Sequence, residues 1–251
     1  MAGLLVGCSS ATGDEPAAAA PTKPTTPIPS VVGGTVPVPT VTPNTAKPTD
    51  AAVPPALPEQ ATVPPPAEAG PVSSKNLPPA DKLGNGWKTY TDPGGAEAGF
   101  LGNDTWTRQR EAHQAAYEAL PVGCANKLPT GALPVPQYAL QASYRTGNDG
   151  PATALLLRFG DAGKASAYYS GYQARMAACG SPEDAQLGVE ELWSEKSAAA
   201  AVRRYAGAES FTEVSVVRGS TIALVAAQLA EPDTDWTRSV TPELEAVIDS
   251  A

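Results

Sequence analysis

The chain of 251 residues predicts an α+β fold, a mostly antiparallel sheet with helices packed on it, preceded by a disordered proline-rich tether. Three observations predict it. Two-thirds of the 27 prolines fall before Ala80 and the aromatic residues lie beyond it, which separates a segment unable to collapse from one that can. In the second part, stretches of alternating apolar residues recur with turn residues between them, the pattern of antiparallel strands. One helical stretch interrupts these strands midway and another closes the chain, so helices cover a sheet instead of alternating with parallel strands. The expected division is a tether over 9–75 and a folded domain over 76–251.

The tether is punctuated by Pro21, Pro24, Pro27, Pro29, Pro37, Pro39, Pro54, Pro55 and Pro64-Pro65-Pro66, each lacking an amide donor and restricting its predecessor. Mixed polyproline II and coil is the expectation, with a reach between about 45 Å and about 200 Å. Thr25, Thr26, Thr40 and Thr42 could accept O-linked sugars, although solvated spacers are the simpler reading.

The domain begins near Leu77-Pro78-Pro79-Ala80, where the prolines open a helical turn through Leu83 that Gly84 ends. Trp87 to Tyr90 reads as a short strand and Asp92-Pro93-Gly94-Gly95 as a turn. With Asp104 as N-cap, Arg110, Ala112, Ala116 and Leu120 fall at helical spacing, which predicts a helix from Trp106 to Leu120 stopped by Pro121. Tyr138, Leu140, Ala142 and Tyr144 alternate with Ala139, Gln141, Ser143 and Arg145, a strand. Gly147 to Gly150 turns it into a second strand, Thr153 to Phe159, whose Ala154-Leu155-Leu156-Leu157 run suits burial on both faces.

Asp161 caps a helix to Ala178 whose stripe of Ala165, Tyr168, Tyr172, Met176 and Cys179 must face the sheet, and Gly180-Ser181-Pro182 stops it. Leu187 to Trp193, Ala200 to Tyr205, Thr212 to Val217 and Thr221 to Leu229 read as strands, with Arg218-Gly219-Ser220 as a tight hairpin turn. A final helix is expected from Thr241-Pro242 onward, burying Leu244, Val247 and Ile248.

A formal charge of −9 and scattered basic residues, with Arg203-Arg204 the densest pair, argue against nucleic acid as a partner and against polybasic lipid attachment. No stretch is apolar for the roughly 18 residues a spanning helix needs. Membrane attachment would have to come from apolar matter, and Cys8 offers it. Leu5-Val6-Gly7-Cys8-Ser9-Ser10 resembles the bacterial lipobox, so residues 1–8 are expected to hold that motif and the remnant of a signal segment. The resemblance implies a diacylglyceryl thioether on Cys8 and cleavage before it; two acyl chains anchor a protein stably. Met1 to Gly7 carry no Lys or Arg and are short for a signal peptide, so the true start is expected further upstream.

Cys124 and Cys179 remain, one pair in a chain inferred to be exported, where thiols oxidise. A disulfide is expected, closing a loop of roughly 55 residues and stabilising the fold by about 4 kcal/mol.

No catalytic constellation, metal set or cofactor motif emerges. His113 is the only histidine, and it is expected on a solvated helix face, where it gives neither a nucleophile's base nor zinc-like spacing with two cysteines. Glu183-Asp184, Glu190-Glu191 and Asp233/Asp235 read as solvated charges in turns and strands. Gly94-Gly95 and Gly33-Gly34 lack the Lys-Ser/Thr of a phosphate loop. Tyr138, Tyr144, Trp193 and Tyr205 could line a cleft for sugar or lipid, though core placement is the commoner fate of strand aromatics.

The run from Cys124 through the hairpin to Arg158-Phe159-Gly160-Asp161, then Ala162, Ala165, Tyr169 and Met176-Ala177-Ala178-Cys179-Gly180, resembles the extracellular sensor domain of PknH-type kinases and of actinobacterial lipoproteins sharing it. Val216-Val217-Arg218-Gly219-Ser220-Thr221-Ile222 and the opening Leu77 to Gly84 also look like that family. The resemblance implies an antiparallel sheet with helices on it and a cleft for an extracellular ligand. One cysteine pair stands where the kinase domain has two, and no kinase or transmembrane segment is present, so direct signalling is not expected.

The expected function is thus a lipoprotein on the outer face of the cell membrane, anchored through Cys8, with a non-enzymatic ligand-binding or sensing domain in the cell-wall space. Its expected partners are the membrane and an unknown envelope ligand or protein. The alternative is a structural or protein-interaction lipoprotein without a small-molecule ligand; an extracellular hydrolase comes third for want of a base.

Overall fold

In the computed structural model, residues 54–56, 62–97, 100–182 and 185–249 are described. Cys8 and the tether up to residue 53 lie outside the described residues, as do Glu183 and Asp184.

The packed chain starts earlier than the expected boundary at residue 76. Ala69 and Val72 are fully buried and bridge to each other, and Pro65, Pro66 and Ala67 offer their carbonyls to Asn103, Gln109 and Thr107. Prolines cannot donate to a ladder, but their carbonyls still accept, which is how a proline-rich strap is stitched onto a fold. A capped 3₁₀ turn over Ser74–Asn76 leads into helix α1 (Ala80–Leu83) and strand β1 (Lys88–Thr89). A small hairpin follows, β2 (Gly95–Glu97) with β3 (Phe100–Gly102), which the composition did not signal.

The helix expected from Trp106 to Leu120 is instead two elements, strand β4 (Thr107–Arg110) and helix α2 (Ala112–Glu118). Thr107 to Arg110 pair with Ala142 to Ala139 of the next strand, and satisfying that open ladder outweighs helix propensity. The cap of α2 is Glu111, whose carboxylate accepts from the amides of His113 and Gln114, while Asp104 sits at φ 58° in a turn. His113 is correspondingly not on a solvated face: it is buried, with Nε2 unpartnered.

The central hairpin joins β5 (Tyr138–Arg145) to β6 (Pro151–Arg158), as its alternation and the turn residues predict. Asp161 then caps α3 (Ala162–Cys179) by accepting from the Lys164 amide, and Gly180 ends it at φ 59°. Four strands follow: β7 (Leu187–Ser194), β8 (Ala198–Tyr205), β9 (Ser210–Arg218) and β10 (Thr221–Ala227), with Gly219 at φ 54° turning the last pair. Helix α4 (Thr234–Asp249) starts well before the expected Thr241. The Asp233 carboxylate accepts from the Trp236 amide at 2.8 Å and caps it, and Pro242 lies inside the helix on its exposed side, not at its first turn.

Among the described residues eight strands form one antiparallel sheet in the order β1-β5-β6-β10-β9-β8-β7, with β4 also on the outer side of β5. Period-two alternation gives it two apolar faces. One carries Leu140, Ala142, Leu156, Val214, Val216 and Val225 against Val240, Leu244 and Ile248 of α4 and the Ala69 to Leu83 strap. The other carries Ala139, Leu157, Ile222 and Leu224 against Ala115 and Ala116 of α2 and the stripe Ala165, Tyr168, Tyr172, Met176 and Cys179 of α3. Burying each large side chain in that stripe contributes about 1.5–3 kcal/mol.

Candidate functional site

Helices α2 and α3 do not cover their whole face of the sheet. Three cross-strand rows show why a cleft opens beside them. The first runs Gln141, Leu155, Leu224 and Ser215; the second Ser143, Thr153, Ala226, Glu213 and Ala201; the third Phe211, Arg203 and Val189. Small Thr153 and Ala226 occupy the second row beside the larger Leu155 and Leu224 of the first and Glu213 of their own, and the resulting depression has a volume of 430 Å³. Arg110 and Glu118 overhang it from β4 and α2, and Tyr205 and Phe211 edge the far side.

Every charged group in this cleft is engaged. Arg110 pairs with Glu118 at 2.6 Å and donates to Gln141, and Glu118 also accepts from Gln114 at 2.7 Å. Deeper in, Arg203 and Glu213 form an ion pair with Nε 3.0 Å from Oε2, a contact without the alignment of a hydrogen bond. Arg203 also donates to Glu213 at 3.2 Å and to the Ala119 carbonyl at 2.6 Å, at the end of α2. The Tyr172 hydroxyl of α3 donates to Glu213 as well. Burial and the adjacent Glu213 push the Tyr172 phenol far above its ordinary pKa. Burial opposes the charge on Arg203, but Glu213 and Tyr172 outweigh it and hold the guanidinium firmly protonated. The cluster ties β8, β9, α2 and α3 to one point on the cleft wall.

On the other side of Tyr172 a second cavity of 300 Å³ lies beside α3, lined by Met176, Ala177, Val189 and Ala199 to Ala201, with Gln173 and Glu191 also on its wall. A third, of 470 Å³, lies beside the disulfide loop. Cys124 and Cys179 are joined as expected, with Cα atoms 5.1 Å apart, and the bond clamps the end of α3 to the loop before β5. It borders the third cavity, not the cleft.

Of the four strand aromatics, Tyr144 and Trp193 are buried on the α4 face and Tyr138 is half-buried there. Tyr205 alone of the four reaches the cleft, 39% exposed. Glu190 is an exposed partner of Arg204, and Asp233 is a helix cap. Sequence reasoning missed Arg203 and Glu213 as a pair. The signal was an Arg and a Glu that fall on the same period-two face of two neighbouring strands as the small Ala199, Ala201 and Ser215. Among the described residues there is no cluster of three or more potential metal ligands and no helix long and apolar enough to cross a membrane.

The fold and cleft define an α+β domain whose helices leave one sheet face partly uncovered. No family model matches the chain, and no curated protein matches its sequence. Among solved structures it is similar to the crystal structure of the extracellular domain of PknH from Mycobacterium tuberculosis, with a TM-score of 0.41 and 9% identity over 70% of this chain and 94% of that one.

Proposed function

We propose that the chain is a lipoprotein on the outer face of the cell membrane, anchored through acylated Cys8, whose domain in the cell-wall space binds a ligand without transforming it. The observation that carries the binding role is the cleft over Thr153 and Ala226, a concave site with an apolar floor and convergent polar groups, the usual makeup of a small-molecule site. Its carboxylates, Glu118 and Glu213, are both held by cations and other donors, an arrangement suited to recognition more than to proton transfer. The Cys124–Cys179 bond supports an oxidising compartment, because cytosolic thiols stay reduced.

Mass spectrometry of the native protein extracted in detergent tests the whole reading. Two acyl chains on Cys8 and a co-purified small molecule are the expected result. A free Cys8 thiol would end the anchoring proposal, and failure of envelope extracts to bind at equilibrium would end the binding one.

A further inference from the structure

The charge balance of the cleft narrows its ligand. Arg110 and Arg203 are matched by Glu118 and Glu213, so the lining is neutral and no cation or carboxylate is left to meet an ionic ligand. A charged guest would have to break the buried Arg203–Glu213 pair, which is costly, or compete for the more exposed Arg110–Glu118 pair, whose charges already cancel, so the cleft offers an ion no net attraction.

The lining is also divided in chemistry. Leu155, Leu224 and Ala226 make an apolar floor, and Tyr205 and Phe211 present aromatic surface at one end. At the other end stand Arg110, Gln141 and Glu118, planar groups with fixed hydrogen-bond directions. Gln141 accepts from Arg110 through its carbonyl, which leaves its amide NH₂ as a donor, and the Glu118 carboxylate has more acceptor positions than its two contacts use. An acyl chain would waste this polar end, whereas a ring with an apolar C–H face and a rim of hydroxyls matches both ends. The 430 Å³ volume lies within the roughly 300–1,000 Å³ of small-molecule sites.

We infer that the cleft takes an uncharged saccharide, its ring lying against Tyr205 and Phe211 and its hydroxyls bonded by Arg110, Gln141 and Glu118. This rests on the reading of the cleft as the binding site.

The test is an NMR titration of the ¹⁵N-labelled full chain with cellotriose, maltotriose and diacetylchitobiose. Glucuronate and glucosamine serve as charged controls, and dodecylphosphocholine below its micelle concentration as an apolar one. At least one neutral saccharide is expected to shift the amides of Thr153, Phe211 and Ala226 at millimolar concentration. Tyr205→Ala and Arg110→Ala should each weaken that binding about tenfold, while Tyr205→Phe, which keeps the ring, and Glu191→Ala, in the second cavity, should not. Equal binding of glucuronate or glucosamine would overturn the inference. Shifts with dodecylphosphocholine alone would leave the cleft as a binding site and remove the saccharide, and no shift with any probe or with envelope extract would remove both.

Discussion

Arg203 and Glu213 meet diagonally across β8 and β9 with 7% and 8% of their side chains exposed, and between them they collect bonds from Tyr172 on α3 and the Ala119 carbonyl that ends α2. Two charges this deep hold together because each is the other's solvent. The pair therefore fixes the end of α2 and the middle of α3 relative to the cleft.

Removing one partner should be far worse than removing both. Glu213→Gln leaves a buried guanidinium uncompensated and is expected to cost about 3–5 kcal/mol, whereas an apolar double replacement, Arg203→Met with Glu213→Leu, should recover most of it. Urea unfolding of the three proteins measures this directly. A single-variant loss under about 1 kcal/mol, the range of an exposed pair, would show that solvent reaches the cluster.

The disulfide should contribute by limiting the unfolded chain. With Cys124 and Cys179 separated by 55 positions in sequence, the chain-entropy model gives about 4 kcal/mol. The double variant Cys124→Ser/Cys179→Ser is expected to melt at a markedly lower temperature with an unchanged far-UV spectrum below the transition. An unaltered melting temperature would contradict the clamp between α3 and the loop before β5.

How much of this was legible depended on whether local pattern and tertiary demand agreed. They agreed for β5, β6 and α3, where alternation, the Gly147–Gly150 turn and the Asp161 cap all point one way. They disagreed at Thr107 to Arg110, which carry helix-compatible residues but are claimed by the open edge of β5. Pro242 misled for a related reason: proline favours a first turn, yet the Asp233 cap and the buried Thr237 and Val240 extend α4 through it. The cleft itself was illegible, since it arises from Thr153 and Ala226 becoming neighbours across strands far apart in sequence.

Alkali should unfold the domain through its tyrosines. Tyr144, Tyr168, Tyr169 and Tyr172 all have phenol pKa values above the ordinary range, with burial the first cause in each. A group whose native pKa is raised stabilises fully below its unfolded value, about 10 for a phenol, and that contribution is lost as pH climbs toward the native value. Absorbance at 295 nm followed from pH 9 upward should show these four ionising only together with loss of circular dichroism. Their ionisation in a protein that remains folded would mean that solvent reaches these four phenols in the native state.

The small β2–β3 hairpin makes a last, sharply local prediction. A Cβ at Gly102 would lie 1.6 Å from the Pro93 carbonyl oxygen and 2.8 Å from its carbon, and backbone cannot swing aside as a flexible side chain can. Gly102→Ala must therefore displace the Asp92-Pro93 segment, where Asp92 is ion-paired with Arg108 at 3.7 Å, at an expected cost of about 1–3 kcal/mol. Gly131 is the control: nothing lies within 4 Å of its Cβ position and its φ is outside the left-handed region, so Gly131→Ala should be neutral or stabilise by about 0.4–1 kcal/mol through the unfolded chain. Thermal melts of the two variants side by side decide the matter, and equal melting temperatures would mean that the hairpin does not lie against Pro93.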